Sequence, residues 1–190
     1  ENFTGRKHFV FNMPEFRATL RFPLEFCPNG VGCSFGDVNH WSPMPLHLAV
    51  AHRIGDSKLV TALNYLASKK MPDNTKIPAG WPINPQWCLF YRKNKGRAVL
   101  RKEPVSRLYK GQQWGVFSDD LVSPTRAMTI RGGTTKVPHG HLDLLSFHCV
   151  VGNQSMITNL SPAEYLDTTF SPRRWDIFEM RPDSKNTIFI

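Results

Sequence analysis

The stretch Ala127-Met128-Thr129-Ile130-Arg131-Gly132-Gly133, followed after a short loop by Pro138-His139-Gly140-His141-Leu142-Asp143-Leu144-Leu145-Ser146-Phe147, decides how the chain is read. Its first part is an apolar run ended by two glycines, which predicts a strand entering a turn. Its second part places two imidazoles and a carboxylate at alternate positions. Alternate side chains of an extended strand point to one face, so His139, His141 and Asp143 are expected to line one surface. Such a surface can bind a metal ion or move protons. A polar strand edge with satisfied histidines is the plainer reading of any His-x-His.

Outward from this stretch, short apolar runs at 114–118, 127–131, 144–151 and 155–159 are punctuated by Gly, Asn and Asp and predict strands. Val150-Val151-Gly152-Asn153-Gln154 reads as a hairpin turn. Further strands are expected at 177–180 and 187–190, the last ending the chain on an apolar run with no polar tail, as a sheet cut in mid-strand would.

Upstream the pattern is helical. Pro43 and Pro45 stand where a helix can begin, Leu46, Ala49, Val50 and Arg53 continue it, and Gly55 stops it. Asp56 or Ser57 can cap a second helix, in which Leu59, Ala62, Leu63 and Leu66 fall at the spacing of a buried stripe. Between 71 and 86, Pro72, Pro78, Gly80, Pro82 and Pro85 mark a boundary. Helices before it and strands after it make the fold class α+β.

The chain has 190 residues, 41% of them hydrophobic, enough to bury a core. Pro, Gly or a charge interrupts every apolar run before the roughly 20 residues of a membrane span. The opening residues, Glu1 to Arg6, lead into no apolar signal segment. Net charge is +9, with Lys and Arg spread from Arg6 to Lys185 and clustered at Arg92-Lys93-Asn94-Lys95-Gly96-Arg97 and Arg101-Lys102, and such a balance attracts polyanions. Nucleic acid is a reading that charge alone supports, because no nucleic-acid module is present. Cys27, Cys33, Cys88 and Cys149 are too few and too irregular for a disulfide scaffold or zinc finger; Cys27 and Cys33 are close enough to bridge, and separate buried thiols are the plainer expectation. No Gly-x-Ser-x-Gly elbow, Gly-x-Gly-x-x-Gly or P-loop occurs, and no histidine follows His148 to complete a two-His-one-carboxylate iron site.

The residues from Met128 to Gly133 and from His139 to Phe147 resemble the heparinase II/III-like polysaccharide lyases, whose β-sandwich carries a glycine pair followed by His-x-His-x-Asp and Ser-Phe. Phe35-Gly36-Asp37-Val38-Asn39, ahead of a helical pair, resembles the Gly-Asp segment late in the family's (α/α) toroid, and Lys185-Asn186-Thr187 stands where the family often has His-Asn-Thr. The resemblance covers about Gly30 to Ile190. It implies the end of an α-helical toroid at 1–75, a linker at 76–98 and the start of an antiparallel β-sandwich at 99–190, a fragment of a larger protein.

The activity implied is β-elimination on a uronic-acid polymer such as a glycosaminoglycan or alginate, in the periplasm or outside the cell. A catalytically inactive protein of the same fold that binds acidic glycan is the alternative. A base takes the C5 proton, the carboxylate is neutralised, and the 4-linked sugar leaves. By the resemblance, His139 is catalytic and approaches the reacting sugar, while the toroid tyrosine and neutraliser are expected outside this chain. Asn39, His40 and Trp41 are implied to bind substrate by hydrogen bonds and stacking. Arg126, Arg131 and Lys136 lead towards the His pair and are candidates to hold carboxylate or sulfate. His141 is implied to ligate a structural zinc or other divalent metal. Its expected partners are replaced by Asn159 and Lys185, and the Lys185 ammonium is expected to take the space of the cation.

Overall fold

A computed structural model describes residues 9–37, 45–70 and 101–188. The chain divides into two compact units, one of Glu1–Leu24 and Ser42–Arg101, the other of Glu25–Trp41 and Lys102–Ile190. The expected linker at 76–98 lies outside the described residues.

The first unit is helical. After a 3-10 turn at Phe9–Asn12 come α1 (Pro14–Thr19), the short α2 (Phe22–Glu25) that leads out of it, α3 (Pro45–Arg53) and α4 (Ser57–Lys70). The chain reverses at Gly55, whose φ of 72° suits a residue without a Cβ. Asp56 then caps α4, its Oδ1 accepting the Leu59 amide at 2.9 Å. Leu48 and Ala51 of α3 and Leu59, Val60, Ala62, Leu63 and Leu66 of α4 are buried, and the two helices pack together. On α4 the stripe expected from spacing is the one that packs, whereas on α3 the buried positions are Leu48 and Ala51, and Leu46, expected on the apolar face, is exposed. Arg17 ties α1 to the turn by donating to the Ile54 carbonyl at 3.2 Å. No helix among the described residues is long and apolar enough to cross a membrane.

The second unit is an antiparallel meander of five strands in sequence order: β1 (Val105–Tyr109), β2 (Trp114–Ser118), β3 (Arg126–Arg131), β4 (Phe147–Val151) and β5 (Gln154–Ile157). One face is the core. Val105, Val116, Ala127, Thr129, Arg131, His148 and Val150 point into it and are buried. Residues 25–37 cover that face. Phe26 packs on the rings of Tyr109 and Trp114, each at 5.7 Å, and Phe35 on Trp114 at 5.1 Å and His148 at 5.0 Å. Cys33 joins Ala127 and Val150, and Cys27 and Cys33 are both buried thiols. Asn29 fixes the cover by donating to the carbonyls of Pro124 at 2.6 Å and Gly152 at 2.5 Å. The fold is α+β.

Two strand expectations change, and one strand, β1, is additional to those expected. β1 carries the inward-facing charge of Arg107, paired with buried Glu25 at 3.2 Å, and its pattern hides it from a hydrophobicity reading. The run at 177–180 is not a strand: Phe178–Met180 is a 3-10 turn between those at Pro172–Asp176 and Pro182–Ser184. Its apolar residues anchor the turns instead, with Ile177 and Met180 buried and the Met180 carbonyl accepting the Leu142 amide at 3.0 Å. Thr187 and Ile188 are irregular as well. There the Asn186 carboxamide does the work of a strand backbone, accepting from Phe147 N at 3.0 Å and donating to Phe147 O at 2.6 Å.

Candidate functional site

The segment from His139 to Asp143 lies in the loop between β3 and β4, not on a strand. His139 takes φ 59°, and the Gly140 amide closes a turn on the Val137 carbonyl at 3.1 Å. The expectation that His139, His141 and Asp143 share one surface is thereby corrected. The side chain of His139 is 54% exposed, whereas those of His141 and Asp143 are fully buried. A turn, unlike an extended strand, rotates successive side chains away from a common face.

What gathers the histidines is Asp37. Its Oδ2 accepts from His139 Nδ1 at 2.9 Å, and its Oδ1 accepts from His141 Nε2 at 2.8 Å and from Arg174 Nη2 at 2.6 Å. The backbone sets up this docking. The Asp37 amide donates to the His139 carbonyl at 3.1 Å, and a Cβ on Gly36 would stand 2.4 Å from that same oxygen. Only glycine allows the approach, and its φ of 85° favours glycine too. Ser161 Oγ closes the segment from the other side by donating to Gly36 O at 2.5 Å.

Burial works against the Asp37 carboxylate, but hydrogen bonds from Arg174, His141 and His139 outweigh it and hold its pKa below the ordinary carboxylate value. Asp37 is thus an anion at neutral pH. With Nε2 donating to it, His141 keeps a lone pair on Nδ1, where Lys185 Nζ approaches to 3.0 Å. Desolvation, reinforced by the Lys185 charge, pushes the His141 pKa down, so the neutral ring that this geometry needs is the favoured one. Lys185 also donates to the Leu160 carbonyl, and burial lowers its own pKa to about 8.

A second buried group lies alongside. Asp143 Oδ1 pairs with Arg131 Nη1, and Asp143 Oδ2 accepts from Asn159 Nδ2 at 2.7 Å. Arg131 is 2% exposed and also donates to the Thr134 carbonyl at 3.0 Å. It organises the loop from inside and does not face an incoming ligand. Arg126 begins β3 while the histidine loop follows its end, roughly 17 Å away at strand rise; its side chain, 80% exposed, lies 3.9 Å from Asp119. Lys136 is exposed on the loop itself. Asn39, His40 and Trp41 fall outside the described residues.

The donors do not fit the divalent ion that the resemblance implies. Both ring nitrogens of His141 are engaged, by Asp37 and Lys185; Asn159 gives its amide nitrogen to Asp143 and keeps a buried, unpartnered Oδ1, a single neutral oxygen that is a weak ligand by itself. Among the described residues no group of three or more His, Cys, Asp or Glu is gathered as a metal would need.

Several contributors carried no sequence signal. Asp37 was visible only as half of a Gly-Asp pair without a role, and Arg174 as one of many arginines. Tyr165 and Phe170 pack against His139, with centroids at 6.5 and 5.6 Å. Contacts over 100 residues of separation, as between Asp37 and His139, leave no periodic trace. No protein-family profile and no curated protein matches the chain.

Proposed function

We propose that the chain is part of a polysaccharide lyase that acts by β-elimination on a uronic-acid-containing acidic glycan, such as a glycosaminoglycan or alginate, in the periplasm or outside the cell. The observation that carries this reading is the Asp37–His139 pair. The carboxylate fixes Nδ1–H, so the half-exposed ring offers Nε2 to a ligand at one defined orientation. There Nε2 approaches the carboxylate of the reacting uronate, which a toroid residue neutralises as a base takes the C5 proton; the C4–O bond breaks, the departing sugar oxygen takes up the proton the base received, and the C4=C5 double bond remains. The base that takes the C5 proton is, in this reading, a tyrosine of the toroid upstream of Gly36-Asp37.

Two features of the fold support placing the chain at a toroid–sandwich junction. The α3–α4 pair has the antiparallel form from which helical bundles and helical toroids are both built. The sheet face away from the core carries Leu108, Phe117, Met128, Ile130, Phe147, Cys149 and Ile157 in cross-strand register, with Leu108 61% and Phe117 49% exposed. An apolar face of this kind suits a second sheet packed on it.

In this reading the Lys185 ammonium replaces the structural cation, donating to the His141 nitrogen that a metal would take. Elemental analysis of pure protein is expected to find no stoichiometric divalent metal, and one equivalent of zinc would contradict the replacement. Activity is tested by the ultraviolet absorbance of unsaturated uronate on heparin, chondroitin, hyaluronan and alginate, using the polypeptide at its full encoded length. Turnover of at least one glycan is expected, falling about a hundredfold or more in His139→Ala. Silence on all four overturns the lyase reading; retention on heparin that survives His139→Ala, without turnover, marks a binding protein of the same fold.

A further inference from the structure

We propose that Tyr165 and Phe170 form, with His139, a preformed aromatic platform that takes a pyranose ring of the acidic glycan beside the ring that reacts. The proposal rests on the glycan reading above and adds to it residues with no assigned role. Tyr165 and Phe170 are 57% and 67% exposed, yet they pack on each other at 5.0 Å and both on the His139 ring. Exposed rings on a slack loop would be unremarkable, but this turn is fixed from beneath. The Thr169 amide donates to the Leu166 carbonyl at 3.0 Å, and Thr169 Oγ1, fully buried, accepts the Leu166 amide at 2.8 Å.

Arg174 joins that turn to the histidine loop. Its Nη1 donates to the Thr169 carbonyl at 2.9 Å, and its Nη2 to the Gly140 carbonyl at 3.0 Å and to Asp37 at 2.6 Å. One guanidinium therefore sets the distance between the aromatic rings and the imidazole. Order established before a ligand arrives is what lets stacking contribute to affinity rather than to ordering the loop.

The chemistry selects the occupant. A pyranose offers an apolar C–H face to the negative face of an aromatic ring, while its hydroxyls and carboxylate reach polar groups at the rim. Here the rim holds the His139 imidazole and the phenol of Tyr165, in a chain of net charge +9 that attracts a polyanion. A purely apolar partner would leave both polar groups unused.

The test titrates the full-length polypeptide with size-defined uronate oligosaccharides by calorimetry and follows thermal unfolding of each variant. Tyr165→Ala and Phe170→Ala are each expected to raise Kd about tenfold, with Tm unchanged. Phe170→Tyr, which keeps a ring, is expected to restore wild-type affinity. In turnover the alanine variants should raise KM and retain kcat. Wild-type Kd in both alanine variants overturns the platform while leaving the glycan reading intact. A large fall in Tm with unchanged Kd shows that the rings pack against polypeptide and overturns it equally. If the wild-type protein binds none of the oligosaccharides, both readings fall.

Discussion

Replacing Asp37 by Asn keeps the shape of the side chain but removes the negative charge that His139, His141 and Arg174 share. Removing one partner of a buried ionic group leaves the others desolvated and poorly paired, so Asp37→Asn is expected to lower unfolding free energy by about 3 kcal/mol, read from the urea midpoint. Lys185 gives a signature in pH. The folded chain releases this proton near pH 8, against an ordinary value of 10.5. Between these values the unfolded chain binds more protons, so stability rises with pH, by up to about 3 kcal/mol. Lys185→Met is expected to abolish that rise in urea unfolding followed from pH 8 to 10.5. On the acid side His141, whose pKa burial depresses, resists a proton that the unfolded chain accepts below about 6.5. Stability therefore falls as pH drops through that value, and falls again as Asp37 is protonated well below it.

At the level of elements, the Gly36-Asp37 segment works because its backbone lies directly against the histidine loop. Gly36→Ala would bring a methyl group to 2.4 Å from the His139 carbonyl at a φ of 85°. A loss of at least about 2 kcal/mol is expected, along with separation of His139 from Asp37, detectable as a changed imidazole chemical shift in NMR. The helices α3 and α4 and most strands were legible because each is a local pattern: a stripe at helical spacing in α4, short apolar runs in β2 to β5, glycine at the turns; α1 and α2, at six and four residues, are too short to show a periodic stripe. β1 was not, since its inward Arg107 is balanced by Glu25 from a distant part of the chain. The tail misled for a related reason. Ile177 and Met180 are apolar because they plug the core from 3-10 turns, and short apolar runs do not reveal which element carries them. At the site, the two histidines and Asp143 stood out, but their division into one exposed and two buried groups depends on a turn that the alternating pattern concealed. Arg131 and Arg126 looked equivalent in sequence; burial makes the first an internal clamp and leaves the second on the surface.

For the molecule as a whole, the strand unit concentrates its buried charge at one end of the sheet, where Asp37, His141, Lys185, Asp143 and Arg131 meet beneath a single half-exposed imidazole. A core made only for stability would bury little of this, since buried ion pairs are weak contributors to folding. On the lyase reading proposed above, the cost is offset by a rigidly held His139 in a chain whose net charge of +9 attracts a polyanion. The most direct measurement compares the rate of unsaturated-uronate formation by wild-type, His139→Ala and Asp37→Asn forms of the full-length protein, on whichever acidic glycan it turns over. Both variants, folded at the assay temperature, are expected to lose at least about a hundredfold in kcat; wild-type rates in both would contradict the role given to this pair.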